Sequence, residues 1–308
     1  MNSSTSKQGV QWIPEILVAR TFTRVIAIVT AFLAATAAYA HKAGESSSIK
    51  IVVIGATART ADDLIPQALW RGHEVVAFAR RPYRVRHAPH PRLKVVKGDV
   101  YDKASLEAAL SGDGSEIMIS LYGPRSDPAV AWPETDLMSQ GTTNIIEAMK
   151  AKGNKRLFVT GSMAAPHVAE KGYTADTPAP VDDNLWLYNM RGPYLDMLKM
   201  EDITRESGLD YIILRPGQLL IEPPRGDLKV AVDDEEVPSM RAIMYSDFAA
   251  WILDQVESDN FLYKTVSVFS DTKLADVEGT DFESAVKILQ EIKAQVDADL
   301  AAHAESAE

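Results

Sequence analysis

The middle of the chain alternates between short apolar runs and segments whose apolar residues recur every three or four positions. The runs are typical of buried strands, and the periodic segments are typical of amphipathic helices. Strands are predicted at residues 49–54, 74–79, 93–97, 116–121, 156–160, 211–215 and 264–270. Helices are predicted at residues 62–71, 104–110, 135–152 and 193–207, and within 239–256 and 281–302.

This alternation predicts one α/β domain over residues 49–270. Strands that alternate with helices form a parallel sheet covered on both faces, and the crossovers are right-handed almost without exception. The predicted fold is therefore a doubly wound parallel sheet, whose ligands bind at the carboxyl ends of the strands. Residues 271–308 add an amphipathic helix and a polar tail. That helix packs either on the domain or on a second copy, as in a homo-oligomer.

The N-terminus has the layout of a secretory signal peptide. Basic residues precede an apolar run at 25–40 that ends in an Ala-x-Ala cleavage pattern. The run is shorter than the roughly 20 residues that a membrane-spanning helix needs. We therefore expect residues 1–40 to be a signal peptide, residues 41–48 a linker, and the protein to be exported (periplasmic or secreted). Without cleavage the same run would tether the protein to a membrane, and without a signal peptide the protein would be cytoplasmic.

Charge and cysteine content narrow the functional classes. The formal net charge of −11 argues against a general nucleic-acid binder, because phosphate attraction needs a basic face. The absence of cysteine from the sequence excludes disulfides, thiolate catalysis and cysteine-ligated metals. His167 has no partner at a metal-ligand spacing, so no metal site is predicted.

The turn after the first strand has the outline of a phosphate-binding turn, in which three glycines make the turn, admit the pyrophosphate and pack helix on strand. Here only the first is kept, and alanine stands at 58 and 61. The methyl group of Ala61 is tolerated in such turns, but Ala58 would cost about 1 kcal/mol if its φ were positive. Asp62 and Asp63 suit the helix dipole but would repel a pyrophosphate, so the turn alone favours binding and non-binding equally. Its candidate cofactor residues are Gly55, Thr57, Ala58, Arg59, Thr60 and Ala61.

Two arginines, Arg80 and Arg81, follow the second strand. Domains that prefer NAD hold the ribose 2′-hydroxyl with an acidic residue at this place, whereas arginine suits the 2′-phosphate of NADP. Arg59 could reach the same phosphate. The alternative is a solvated basic loop, because further arginines follow in the sequence. The position at the strand end favours NADP(H) over NAD(H) as the cofactor.

Other strand ends carry residues that suit the remaining parts of a dinucleotide. Asp99 is placed to meet the adenine amino group, and Val100 is placed against the ring. After the fourth strand, Gly123 permits close backbone approach; after the fifth, the hydroxyl of Ser162 could touch nicotinamide or substrate. Each is weak alone, because serine and glycine end many strands. The other candidates at these ends are Leu121, Tyr122, Thr160 and Pro216.

From about Lys50 to Ser270 the chain resembles the atypical short-chain dehydrogenase/reductases of the NAD(P)H-binding, NmrA-like group, nearest the branch of flavin and biliverdin reductases. The matching stretches are Gly55–Ala61, Ala79–Pro82, Lys97–Val100, Val159–Ser162 and, most specifically, Met200–Gly217. The resemblance implies a Rossmann-like fold, NADP preference, and reduction of a flavin-, quinone- or carbonyl-like molecule by direct hydride transfer. It also implies that Ser162 and Glu201 line the catalytic site.

Departures from the family pattern leave two functions open. Many short-chain dehydrogenases use a Tyr-x-x-x-Lys pair, but Tyr194 is followed by Lys199, one residue too far for one helix turn. The reductase branch works without this pair, so an oxidoreductase is still expected. The altered glycines favour the alternative, a non-catalytic NmrA-like protein that senses the dinucleotide or interacts with a partner.

Aromatic side chains are frequent in the loops that ring the expected nicotinamide end. They suit a flat small-molecule substrate such as a flavin or quinone. The alternative is a satellite cluster that packs under the long loops. These residues are Trp132, Tyr173, Trp186, Tyr188 and Tyr194.

Overall fold

The computed structural model of the protein describes residues 48–124, 134–174, 176–178, 185–233, 235–237 and 241–272. The predicted signal peptide, nearly all of the linker and the predicted helix at 281–302 lie outside these ranges, as do Trp132 and the side chain of Trp186. No helix within the described ranges is both long enough and apolar enough to cross a membrane.

Strands and helices alternate along the described chain, as the sequence pattern predicts. The strands are β1 (Lys50–Ile54), β2 (Glu74–Ala79), β3 (Leu93–Lys97), β4 (Ile117–Ser120), β5 (Arg156–Thr160), β6 (Asp210–Pro216), β7 (Gln218–Leu220), β8 (Leu228–Val232), β9 (Ala242–Met244) and β10 (Lys264–Ser270). The helices are α1 (Arg59–Trp70), α2 (Lys103–Ala109), α3 (Leu137–Lys152), α4 (Ala165–Glu170), α5 (Leu185–Asn189), α6 (Arg191–Arg205) and α7 (Tyr245–Val256), and a short 3-10 helix at Pro82–Arg84 follows β2.

Eight of these strands form one sheet in the order β3-β2-β1-β4-β5-β6-β10-β8. All neighbours pair in parallel except β8, which lies antiparallel to β10 at one edge. The short strands β7 and β9 pair with each other in a separate parallel sheet. The prediction of a doubly wound, Rossmann-like α/β fold in a single domain is confirmed.

Alternate residues of β1 contribute to two cores, one on each face of the sheet. Ile51 and Val53 pack with α1 and α7, whereas Val52 and Ile54 pack with α2, α3 and α6. All four side chains are fully buried. On the first face α1 and α7 lie against each other although 179 positions separate Gln67 from Ser246, whose carbonyl oxygen accepts the amide of Gln67 at 3.2 Å.

Some boundaries differ from the predicted ones. Helix α1 begins at Arg59 rather than at residue 62, because Ala58 acts as its N-cap. The segment within 239–256 begins as strand β9, and its helix starts only at Tyr245, because β9 finds its partner in β7. Strands β7 and β8 and helices α4 and α5 lie in loops where the sequence gives no periodic pattern.

A fully buried histidine ties the start of β1 to the end of α7. His73 Nδ1 accepts the backbone N–H of Ile49 at 3.4 Å, and its Nε2 lies 2.9 Å from Glu257 Oε1. One nitrogen accepts while the other donates, which requires the neutral imidazole. Burial lowers the pKa of His73 below its ordinary value of 6.5, against the raising effect of the Glu257 carboxylate.

We expect the free energy of unfolding to fall as the pH drops below the ordinary histidine pKa. The folded pKa is the lower one, so the unfolded chain binds the proton first, and the loss continues until His73 titrates in the folded state. Urea unfolding of wild type and His73→Gln at pH 7.5, 6.5 and 5.5 measures this effect. The variant should show a flatter dependence on pH than the wild type. Equal slopes in wild type and His73→Gln would contradict the assignment.

Candidate functional site

The turns after five strands adjoin at the carboxyl edge of the sheet. Parallel pairing sets Ile54 beside both Phe78 and Ser120, and it sets Thr160 beside Leu214. The turns after β1, β2, β4, β5 and β6 therefore follow one another along this edge, and the strand order reverses between β1 and β4. Ligands of doubly wound sheets bind at such a reversal.

Gly55 is required by the turn after β1 for two reasons. Its φ is +84°, a conformation that side chains rarely adopt. A Cβ at this position would also lie 2.6 Å from the backbone nitrogen of Tyr122. The backbone N–H groups of Gly55 and Ala56 both donate to the carbonyl oxygen of Phe78 at 3.1 Å, which fixes the turn between β2 and β4.

The two alanines in this turn are unstrained. Ala58 has φ −70° and ψ 151°, an ordinary extended conformation, so the expected strain of about 1 kcal/mol is absent. The physical reason is that the left-handed residue of the turn is Gly55 rather than residue 58. Ala61 is fully buried in the core shared by α1 and β1, so its methyl group is accommodated as the sequence predicts.

The start of α1 faces the site without a side-chain cap. The first N–H groups of a helix have no intrahelical acceptor and carry its positive dipole end, which favours an anion. The two acidic residues expected to oppose an anion are partly neutralised. Asp63 Oδ2 lies 3.1 Å from Arg59, and Asp62 Oδ2 lies 3.6 Å from Arg59 and 3.9 Å from Arg86. Burial raises the pKa of Asp62, and these arginines act in the opposite direction.

Arg80 and Arg81 lie in the turn after β2, where the sequence places them. Arg80 is exposed and Arg81 is half-buried. Within the described residues neither guanidinium forms an ion pair or a hydrogen bond, whereas Arg86 in the same loop faces Asp62. Two adjacent cations without a counter-ion in the described chain suit a phosphate monoester.

Arg59 has partners of its own, unlike Arg80 and Arg81 within the described residues. Its guanidinium pairs with Asp63 and lies over the ring of Tyr245, 5.3 Å from the centroid. Tyr245 is the first residue of α7, so Arg59 is held on the α7 side of the α1 start. That Arg59 reaches the same phosphate as Arg80 stays a prediction.

The turn after β3 is fixed by its own residues. Asp99 Oδ1 accepts the backbone N–H of Tyr101 at 3.1 Å, and the hydroxyl of Ser105 binds the backbone of Asp99. Val100 is buried. A Cβ at Gly98 would lie 2.2 Å from the ring of Phe78, so glycine at 98 allows β3 to end against β2. Asp99 and Val100 thus lie beside the end of β2, as an adenine pocket requires.

The turn after β4 contributes backbone rather than a polar side chain. Leu121 is buried, and the hydroxyl of Tyr122 reaches beneath α3 to the carbonyl oxygen of Met138 at 3.4 Å. Burial raises the pKa of this phenol well above its ordinary range. A Cβ at Gly141 would lie 2.4 Å from the hydroxyl, a requirement that the sequence pattern did not reveal. Gly123 is exposed with open space around it.

Two hydroxyl groups end β5. Thr160 Oγ1 is buried and has no hydrogen-bond partner in the described chain. Ser162 Oγ accepts the backbone N–H of Ala164 at 3.1 Å, which leaves its own proton to donate. The backbone N–H of Gly161 between them donates to Leu214 at 2.7 Å. The turn therefore presents a hydroxyl donor next to the end of β6, where Pro216 is buried.

Glu201 lies directly beneath this turn. It is fully buried, and a Cβ at Gly161 would lie 3.0 Å from its Oε1. Arg215 binds both of its carboxylate oxygens, at 2.8 Å through Nε and at 2.5 Å through NH2. Arg205 adds a contact of 2.8 Å to Oε2. The carboxylate is thus fully occupied in supporting the turn, and a catalytic role for Glu201 stays a prediction.

The three described tyrosines near the site pack together. Tyr173 and Tyr188 meet edge to face with ring centroids 5.9 Å apart, and Tyr188 donates its hydroxyl to Thr177 O at 2.9 Å. Tyr194 is buried with residues of α4 in the same cluster. This packing matches the satellite-cluster alternative for these side chains rather than an open aromatic wall.

A cavity of about 280 Å³ lies beside the start of α1 and was not predicted from the sequence. Its wall combines the first turns of α1 and α7 with the loop after β7. Among its polar groups, Ser246 Oγ is buried and has no hydrogen-bond partner in the described chain. The lining residues are Arg59, Asp63, Leu220, Ile221, Glu222, Pro223, Tyr245 and Ser246.

The donor set at this edge fits a dinucleotide with phosphate groups. Arg80 and Arg81 have no counter-ion in the described chain, and the start of α1 has no side-chain cap. Thr160 Oγ1 has no hydrogen-bond partner among the described residues. No three acidic or histidine side chains in the described ranges come together as metal ligands would. The site therefore suits an organic cofactor held by cations, backbone N–H groups and hydroxyls.

Comparisons with known proteins agree with this geometry. A family model described as NAD(P)H-binding matches residues 55–259. An uncharacterised chloroplast protein of Arabidopsis thaliana is 29% identical over 189 residues, which cover 60% of this chain and 64% of that protein. A 3-diazoavenalumate denitrifying reductase of a Streptomyces species is 28% identical over 179 residues, which cover 56% of each chain. The aligned region spans less than two thirds of either relative's length.

A solved structure shares the fold. ChuY, an anaerobillin reductase from Escherichia coli O157:H7, aligns with a TM-score of 0.56 at 17% identity. The alignment covers 73% of this chain and 98% of ChuY. At this identity the likeness supports the arrangement of strands and helices.

Proposed function

The chain belongs to the NAD(P)H-binding family whose model matches residues 55–259, and on that premise we propose that it is an NADP(H)-dependent oxidoreductase. It would reduce a flavin-, quinone- or carbonyl-like small molecule by direct hydride transfer, without a Tyr-x-x-x-Lys pair. The single observation that carries the proposal is the pair Arg80 and Arg81 after β2, without a counter-ion in the described chain, beside the uncapped start of α1.

Each turn at the carboxyl edge of the sheet would bind one part of the cofactor. Arg80 and Arg81 would bind the 2′-phosphate through paired donors, and this favours NADP(H) over NAD(H). The turn at Gly55 and the start of α1 would receive the diphosphate, and Asp99 would meet the adenine amino group. Thr160 supplies the hydroxyl that lacks a partner at the nicotinamide end.

At the nicotinamide end, the proposed reaction depends on the hydroxyl of Ser162 and on the turn at Gly161. When bound, the nicotinamide would supply the hydride. Ser162 would donate its proton to the substrate oxygen or nitrogen, because its own oxygen already accepts the N–H of Ala164. Glu201 would keep this hydroxyl in place through the turn at Gly161. The reductase among the relatives supports a small-molecule substrate.

The alternative proposal is a non-catalytic protein that senses the dinucleotide or interacts with a partner. The packing of Tyr173, Tyr188 and Tyr194 into a cluster favours it, because they do not form an open wall for a flat substrate. The proposal of export rests on residues 1–40, and that of a homo-oligomer rests on the predicted helix at 281–302; both segments lie outside the described ranges.

We expect Arg80→Glu to abolish a preference for NADPH over NADH. Replacing the cation with an anion removes a charged hydrogen bond to the 2′-phosphate, so NADPH affinity should fall by about tenfold to hundredfold while NADH affinity changes little. Titration calorimetry on protein starting at His41 measures both constants. Lys94→Glu, an equal charge reversal at an exposed position on β3, is the matched control.

Two results would separate the proposals. Saturable NADPH binding together with NADPH oxidation in the presence of a flavin, a quinone or an aldehyde supports the oxidoreductase. Binding without oxidation of NADPH by any of the three classes supports the sensing protein. Absence of saturable binding for both dinucleotides would overturn the oxidoreductase and the dinucleotide sensor, and it would leave only the protein that interacts with a partner.

A further inference from the structure

Arg59 is held by contacts to two helices. It is the first residue of α1, and its Nη1 lies 3.1 Å from Asp63 Oδ2 and 3.6 Å from Asp62 Oδ2 within the same helix. Its guanidinium carbon also lies over the ring of Tyr245, the first residue of α7, 5.3 Å from the ring centroid. The contact therefore joins the starts of α1 and α7, which the fold packs against each other.

Arg59 is also accessible to an anion. The cavity of about 280 Å³ lies against Arg59, Asp63 and Tyr245 and extends to Ser246, whose buried Oγ has no partner in the described chain. About a third of the Arg59 side chain is exposed. A ligand oxygen in this cavity can thus reach both a guanidinium and a hydroxyl.

A phosphate group would compete with Asp63 for Arg59. Guanidinium binds phosphate through paired N–H donors, and the bonds are stronger than those to a single carboxylate oxygen, which is the contact that Asp63 makes. The guanidinium can stay over the Tyr245 ring while one of its N–H groups changes partner, because the attraction to the ring does not depend on which oxygen accepts that N–H.

We propose that Arg59 is a latch for the diphosphate of the cofactor, held by Asp63 and Tyr245 in the free protein and transferred from Asp63 to the diphosphate on binding. This inference rests on the proposed function. It assigns Arg59 to the diphosphate rather than to the 2′-phosphate, which Arg80 and Arg81 would bind. It also makes Asp63 a competitor of the cofactor and brings Tyr245 of α7 into the cofactor site.

A double-mutant cycle tests the latch by binding alone. NADPH dissociation constants are measured by calorimetry for wild type, Arg59→Gln, Asp63→Asn and the double variant. We expect Asp63→Asn to tighten binding about threefold to fivefold, since it removes the nearer of the two carboxylates that pair with Arg59 and leaves only Asp62. We expect Arg59→Gln to weaken binding about tenfold. In the double variant, Asp63→Asn should no longer tighten NADPH binding, because the guanidinium of Arg59 is absent. If Asp63→Asn tightens NADPH binding equally with and without Arg59, then Asp63 only repels the cofactor by its charge. That result would overturn the latch.

Glu222→Gln is the matched control. Glu222 lines the same cavity but lies near Arg225, at 3.8 Å, instead of Arg59. Its substitution should change the NADPH constant equally with and without Arg59→Gln. If the effect of Glu222→Gln on the NADPH constant depended on Arg59, any carboxylate that lines the cavity would give the same coupling. That result would overturn the latch.

Failure of the latch is distinguishable from failure of the proposed function. If NADPH binds and the Asp63 effect is additive, only the latch is overturned. If wild type binds neither dinucleotide, the same cycle is run with inorganic pyrophosphate. If pyrophosphate binds and the effect of Asp63→Asn depends on Arg59, the latch holds for an anion other than the cofactor, and the proposed function is overturned. Absence of pyrophosphate binding would overturn both.

Discussion

Substitution of Glu201 by glutamine is expected to destabilise the protein by about 3–5 kcal/mol. The carboxylate is fully buried and is shared by Arg215 and Arg205, so its loss leaves two guanidinium groups without their common counter-ion. Glutamine keeps the shape and one acceptor, which isolates the effect of charge. Urea unfolding at pH 7 measures the difference.

The control for this prediction uses the other partner of Arg205. Asp202 also pairs with Arg205, at 2.8 Å, but its side chain is 72% exposed. Asp202→Asn should therefore cost less than about 1 kcal/mol. Equal losses for the two variants would contradict the view that burial makes the Glu201 cluster strong. If folded Glu201→Gln protein binds NADPH normally but loses turnover, Glu201 has a catalytic role as well.

Gly55→Ala should both destabilise the protein and remove dinucleotide binding. A side chain at φ +84° costs about 1–2 kcal/mol, and a Cβ placed 2.6 Å from the nitrogen of Tyr122 must push the turns after β1 and β4 apart. Together we expect a loss of about 2–5 kcal/mol in unfolding free energy. The displaced turn would no longer receive the diphosphate, so NADPH binding should become undetectable by calorimetry.

Two other glycines separate the cost of the positive φ from the cost of the contact with Tyr122. Gly72 also has a positive φ, +94°, but nothing lies within 4 Å of its added Cβ, so Gly72→Ala should show the backbone cost alone. Gly123 has open space and no positive φ, so Gly123→Ala should be nearly neutral for stability. A loss for Gly55→Ala no larger than that for Gly72→Ala would show that the contact with Tyr122 is unimportant.

The local pattern of the sequence predicted most strands because their residues are apolar on both faces. Strands β2, β3, β5 and β10 have the predicted bounds, and only the ends of β1, β4 and β6 shift. The pattern missed β8, which lies antiparallel to β10 at the sheet edge, and it missed β7 and β9, which are three residues each and depend on each other for pairing. Such short pairs carry no periodic signal of their own.

The site was predicted in outline, and its contacts were not. Strand-end positions pointed to Gly55 and Arg80, because parallel strands bring their carboxyl ends to one edge. The partners of Arg59 and Glu201 were missed, since Tyr245 lies far along the chain and Arg215 on another element. Whether Ala58 is strained stayed open, because sequence alone does not show which residue of a turn takes the positive φ; in the structure that residue is Gly55.

The packing of α7 on α1 also bears on the time course of folding. The apolar face of α1 is covered by residues of α7 such as Phe248 and Ile252, so it stays uncovered during synthesis until almost the whole domain has been made. Contacts of such long sequence separation form slowly, because a long loop must close first. The N-terminal half of the nascent chain therefore lacks one covering layer of its core until α7 has been made.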